Sequence, residues 1–114
     1  MKTLQDLSLP PHIYQALRAA RERITSEFAV DRMVLFGSAA RGTADEESDV
    51  DVLIVLKEHP NHEIRNRISN VTLDINLEYD TNLSELIVDQ QAWDEGLLTV
   101  LPIYAEIQEQ RIQL

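Results

Sequence analysis

Asp49 and Asp51 stand two residues apart where an apolar run, Val50 to Leu56, begins. Side chains alternate faces along a strand, so both carboxylates point the same way. Two like charges that close repel unless a cation lies between them. An all-oxygen donor set of this kind suits a divalent metal such as Mg2+. Upstream, Gly37 and Ser38 follow a second apolar run, Met33 to Phe36. Gly37, with no side chain, lets backbone approach a phosphate closely. The Ser38 hydroxyl can donate to a phosphate oxygen, at a turn whose free N–H groups attract anions. Arg41 adds a planar cation suited to phosphate. Gly42 turns the chain away, and Ser48 precedes the first aspartate. The chemistry these residues could share is the handling of a metal-bound phosphate.

A third carboxylate would extend that chemistry to two metals, one on the phosphates and one lowering the pKa of an attacking hydroxyl. Asp74 is the best candidate, with Glu78 in reserve. Each piece has a plainer reading. A Gly-Ser pair after a strand is commonly just a turn, Asp49 alone could cap one, and Asp74 could be ordinary surface. Asp45, Glu46 and Glu47 read as a solvated loop. The combination, each part beside the right kind of strand, is far more specific than any part.

The elements that must position these groups follow from periodicity. Ile13, Leu17, Ala20, Ile24 and Phe28 recur at helical spacing after Pro11, which suits a first helical turn, so a helix is expected over 11–28. Met33–Phe36 and Val50–Leu56 read as strands, joined by one helical turn over 38–41 and a polar loop over 43–48. A short helix is expected within 59–70. Val71, Leu73, Ile75, Leu77 and Tyr79 alternate with Thr72, Asp74, Asn76 and Glu78, the signature of a third strand. Helices are expected over 83–88 and over 97–112, the latter started or broken near Pro102. The result is an α/β (α+β) arrangement, a small mixed sheet flanked by helices, as one domain over 1–114. His59 and His62 read as surface residues, and Trp93 and Tyr104 as core.

The chain holds 114 residues, no cysteine and a formal net charge of -10. A thiolate zinc site and a disulfide framework are excluded. A cytoplasmic setting is the simplest expectation, and no apolar run approaches the length of a membrane span. Nucleic-acid affinity comes chiefly from Lys and Arg neutralising phosphates, so direct nucleic-acid binding is not expected. A basic protein partner fits the charge better.

At Gly37-Ser38, Arg41-Gly42 and Ser48-Asp49-x-Asp51, with Asp74 as the later acidic residue, the chain resembles the nucleotidyltransferase superfamily of the DNA polymerase β type. Its short length resembles the minimal branch, MNT. The resemblance implies a nucleotidyltransferase fold, Mg2+ held by Asp49 and Asp51, and ATP cradled at Gly37-Ser38. It also implies transfer of AMP to an acceptor hydroxyl, with Asp74 as base or second-metal ligand. Minimal members are similar to the antitoxins of HEPN/MNT pairs, which adenylylate a tyrosine of a HEPN ribonuclease toxin. Two alternatives stand beside this: a non-catalytic module that neutralises a partner by binding, and a transferase acting on a small molecule.

Overall fold

The structure, a computed structural model, describes residues 4, 7–43, 45 and 47–114. Glu46, expected in the solvated loop, lies outside the described residues.

Four strands form one mixed sheet in the order β3-β2-β1-β4. β1 (Val30–Phe36) and β2 (Val50–Leu56) are antiparallel neighbours, and β2 pairs in parallel with β3 (Leu83–Asp89). A parallel pair needs a long crossover, supplied by α3 (His62–Tyr79). β4 (Ile112–Gln113) adds a short antiparallel edge to β1.

Alternation within the strands divides the core in two. Met33, Leu35, Val50, Val52, Ile54, Leu83 and Ile87 face α1 (Pro11–Glu27) and α3. Val34, Phe36, Leu53, Val55, Leu86 and Val88 face the opposite layer, built from α4 (Gln90–Glu95) and α5 (Pro102–Gln110). There Trp93 and Ile107 are buried, and the Trp93 and Tyr104 rings lie 4.7 Å apart. Both central strands are covered on both faces, which explains their nearly unbroken apolar sequence.

α1 forms as its spacing predicts, with Pro11 in its first turn and Ile13, Ala16, Leu17, Ala20 and Ile24 buried. Two expectations are overturned. Residues 71–79 are the second half of α3, not a strand. The buried positions Ile68, Val71, Thr72 and Ile75 follow the helical period, whereas Leu73 and Leu77 are exposed. Two solvent-facing leucines therefore created a false alternation. α3 is bounded by the Asn61 side chain, which accepts from the Ile64 N–H at 2.8 Å, and by Asp80 in the left-handed region, a common helix stop. Residues 83–88, expected as a helix, belong to strand β3. The expected helix over 97–112 resolves into a 3-10 turn (Leu97–Val100), α5 and β4. Among the described residues, no helix is long and apolar enough to cross a membrane.

Candidate active site

The turn from β1 to β2 carries the motif. α2 (Gly37–Ala40) begins directly after Phe36, the last residue of β1, and two glycines make the turn possible. Gly37 has φ +75° and Gly42 has φ +76°, a region that side chains resist. Gly37 is needed for a second reason. A Cβ built there would collide with Oδ2 of Asp51. The absent side chain lets the backbone of the Gly-Ser turn lie directly against the carboxylate of the strand beside it. Ser38 is half-buried, and its carbonyl accepts from the Thr43 N–H at 3.0 Å, which closes the turn.

Asp51 sits opposite Phe36 on β1 and shares the parity of Leu53 and Val55, so it lies on the α4/α5 side of the sheet. Its carboxyl is pushed above the ordinary carboxylate range, chiefly by burial, then by the charges of Asp49 and Glu106. Arg41 opposes the shift. Asp49 is exposed just before β2. The negative charges thus outweigh the positive one at Asp51, an arrangement that a cation would relieve.

Ser48 is placed differently from the expectation that it helps hold the nucleotide. Its hydroxyl donates to Oδ1 of Asp45 at 3.0 Å, and the Asp45 N–H donates back to the Ser48 oxygen at 3.0 Å. The pair shapes the loop entering β2. Bonds from the Glu47 N–H and from Ser48 hold the Asp45 carboxyl below its usual range. Asp45, read as merely solvated, is a loop organiser.

Asp74 leaves the site. It lies on α3, exposed, with Oδ2 3.7 Å from Nη2 of Arg23 on α1. α1 and α3 cover the sheet face opposite to the one Asp51 shares, and Glu78 is on the same helix. The neighbouring strand is β3, where Ser84 stands opposite Asp51. The next residue, Glu85, alternates to the other face and accepts from Ser69 of α3 at 2.7 Å. The third-strand position beside the two aspartates therefore carries a hydroxyl. Among the described residues, no three His, Asp or Glu side chains converge as a metal-holding group. A single Mg2+ still fits, because that ion commonly takes one or two carboxylates and completes its shell with water and substrate phosphates. The two-metal arrangement expected through Asp74 does not.

Sequence reasoning missed what α5 contributes. Gln110, its last residue, accepts from Nη1 of Arg41 at 3.0 Å. Glu106 lies one helical turn earlier on the same face, and its charge is felt at Asp51. The four-residue spacing of Glu106 and Gln110 was visible, but only tertiary packing shows that this face meets the motif. His59 is exposed and bonds through Nδ1 to Asp89 at 3.0 Å, away from this turn.

The Gly-Ser turn thus lies against Asp51, with Asp49 two residues before it, on the central strands of a mixed sheet. The chain belongs to the nucleotidyltransferase domain family, whose model matches residues 17–111. Among curated proteins it is 48% identical over 58 residues to a Methanocaldococcus jannaschii protein named as a candidate protein adenylyltransferase, covering 51% of this chain and 59% of that one. A second such protein from the same organism is 36% identical over 77 residues, covering 66% of this chain and 51% of its own length. The matched stretch therefore spans between half and three-fifths of those relatives. Among solved structures, a toxin–antitoxin complex with AMP-PNP superposes with a TM-score of 0.55 at 19% identity, covering 90% of this chain and 68% of that one. A chain of the toxin–antitoxin MntA-HpeT superposes with a TM-score of 0.52 at 17% identity, covering 90% and 70%. These structures share the mixed-sheet fold with this chain.

Proposed function

We propose that this protein transfers an adenylyl group from ATP to a protein hydroxyl, and that it acts as an antitoxin by modifying a tyrosine of a HEPN-type ribonuclease toxin. The observation that carries the reading is the contact of Gly37 with Asp51. It sets the turn that would approach phosphate against Asp51, one of the two carboxylates that would hold the cation. Family membership and the names of the M. jannaschii relatives support nucleotide transfer to protein. The AMP-PNP complex supports a nucleotide, and both structural neighbours support a toxin partner.

In this reading Gly37 and Ser38 cradle the triphosphate, and Arg41 offsets its charge. Asp49 and Asp51 would hold Mg2+, which when bound neutralises phosphate charge and polarises the reacting phosphorus. The acceptor oxygen attacks the α-phosphorus, the bond to the β-phosphate oxygen breaks, and pyrophosphate leaves. The acceptor proton passes to solvent or to a nearby carboxylate. Positioning and charge stabilisation supply most of the catalysis in phosphoryl chemistry.

One observation favours the alternative of a binding-only antitoxin: β3 places Ser84, not a carboxylate, beside Asp51. The two readings separate by intact-mass measurement of this protein and the product of its neighbouring gene after incubation with ATP and Mg2+. Whole adenylyl units on the partner, lost with Asp49→Asn, establish the transferase. A stable complex with no mass gain establishes the binding module.

A further inference from the structure

A cavity of about 450 Å3 opens at the end of α2, lined by Ala40, Arg41, Gln108, Glu109, Gln110, Arg111 and Ile112. Two arginines line it. Arg41 comes from the end of α2. Arg111 follows α5 and directly precedes β4. The register explains why they converge. Ile112 pairs with Leu35, and the strands are antiparallel, so Arg111 falls next to Phe36, the residue before Gly37. Phe36 is flanked on its other side by Asp51.

Both guanidinium groups are steadied by neutral amides. Arg41 donates to the Gln110 side chain at 3.0 Å and Arg111 to the Gln108 side chain at 2.5 Å. Among the described residues, neither has a carboxylate within ion-pair distance, whereas Arg23 and Arg32 are both paired with aspartates. An amide fixes the guanidinium without cancelling its charge. In a chain of net charge -10, two amide-held arginines lining one cavity outnumber its single carboxylate, Glu109, and guanidinium geometry matches phosphate.

We infer that Arg111 joins Arg41 in a polyphosphate subsite, holding the terminal phosphates of the nucleotide or the pyrophosphate that leaves. The inference rests on the nucleotidyl-transfer reading and assigns a new binding residue to it. Arg111 is not part of the Gly-Ser or Ser-Asp-x-Asp motif. The chain segment that delivers it, the junction of α5 and β4, reaches the site only through the sheet edge.

The test is calorimetric titration of the full chain with tripolyphosphate, pyrophosphate, ATP and AMP. The first two are run in chelator, so that the aspartates contribute no cation. Arg111→Gln should weaken tripolyphosphate and ATP binding about tenfold, the loss of one charge-assisted phosphate contact, and leave AMP within twofold. Pyrophosphate affinity that falls while ATP affinity holds assigns the subsite to the leaving group. Arg111→Lys should recover part of the loss, and thermal melting of each variant checks the fold. Unchanged tripolyphosphate and pyrophosphate affinity in Arg111→Gln overturns the inference, as does an equal loss for AMP, or no binding of either phosphate chain by the unaltered protein. The parent reading fails separately. Phosphate binding that depends on Arg111, with no adenylyl transfer to any partner, leaves the subsite standing and removes the transferase.

Discussion

Ser84 on β3 stands opposite Asp51 on β2, in parallel register and on the same side of the sheet. That side is the one α4 and α5 cover, as Leu53 and Leu86 two residues further along each strand make plain. The protein thus holds two carboxylates at its motif and a hydroxyl where a neighbouring strand could have offered a third. Replacing Ser84 with aspartate should tighten Mn2+ binding about tenfold, since an added oxygen ligand joins a shell otherwise completed by water. Titration of Mn2+ into both proteins, followed by electron paramagnetic resonance, measures it. Equal affinities would mean that position 84 does not reach the cation.

Asp51 carries a stability cost that neutral pH exposes. Its carboxyl is raised, first by burial and then by Asp49 and Glu106. The folded protein therefore holds that proton more tightly than the unfolded chain does. Below the unfolded value both states are protonated and there is no penalty. As pH rises through the raised folded value, ionisation destabilises the fold, and the full penalty remains at pH 7. Asp51→Asn should then melt a few degrees higher than the unaltered protein at pH 7 without divalent cation. The gap should close in acid. Mg2+ with ATP should raise the melting temperature of the unaltered protein only. A variant that melts lower at pH 7 contradicts the argument.

Gly37→Ala combines a left-handed backbone with a clash against Asp51. The conformation alone costs about 1–2 kcal/mol, and the carboxylate must move to make room. Melting should fall accordingly, and Mg2+-dependent nucleotide binding should drop about 100-fold. Gly42→Ala is the control. It shares the positive φ, yet nothing lies within 4 Å of the added carbon, so it should lose stability and keep nucleotide affinity.

Asp74→Asn should leave adenylyl transfer within twofold and stability within about 0.5 kcal/mol, because its ion pair with Arg23 is largely exposed and such pairs contribute little. Adenylyl transfer measured by intact mass, together with urea denaturation, checks both halves. A large loss of transfer would place α3 in the reaction.

Trp93→Ala should cost about 3–5 kcal/mol. The side chain is 3% exposed and packs against Tyr104 with the rings tilted by 55°. Because α5 rests on it, the Arg41–Gln110 bond should loosen as well. Chemical denaturation gives the first number, and hydrogen exchange at the Arg111 and Ile112 amides reports the second.

The motif was legible because its physics is local. Gly37 and Gly42 need positive φ, and Asp49 and Asp51 flank one strand residue, so short-range spacing sufficed. α1 was legible because its apolar positions are also its buried ones. α3 was not, because Leu73 and Leu77 are apolar yet exposed, and periodicity records polarity rather than burial. That one misreading carried Asp74 into the site and displaced β3 into a helix. Ser84 could not be weighed until β3 was known to lie beside β2. Gln110 and Arg111 were out of reach for another reason: their roles depend on long-range contacts, such as that of Gln110 with Arg41, 69 residues away.

The Val34–Gln113 pairing also sets an order of events during synthesis. The N-terminal helix and the first hairpin, motif included, leave the ribosome early and can form by local contacts. The wall carrying Gln110 and Arg111 follows the motif by about 70 residues and must close a long loop to reach it, a slow kind of step. For that interval the chain displays its aspartate pair and Gly-Ser turn without the arginine side of the cavity. On the proposed reading, a nascent chain would meet a cation before it could grip a polyphosphate, and full nucleotide capture would wait for the sheet edge to close.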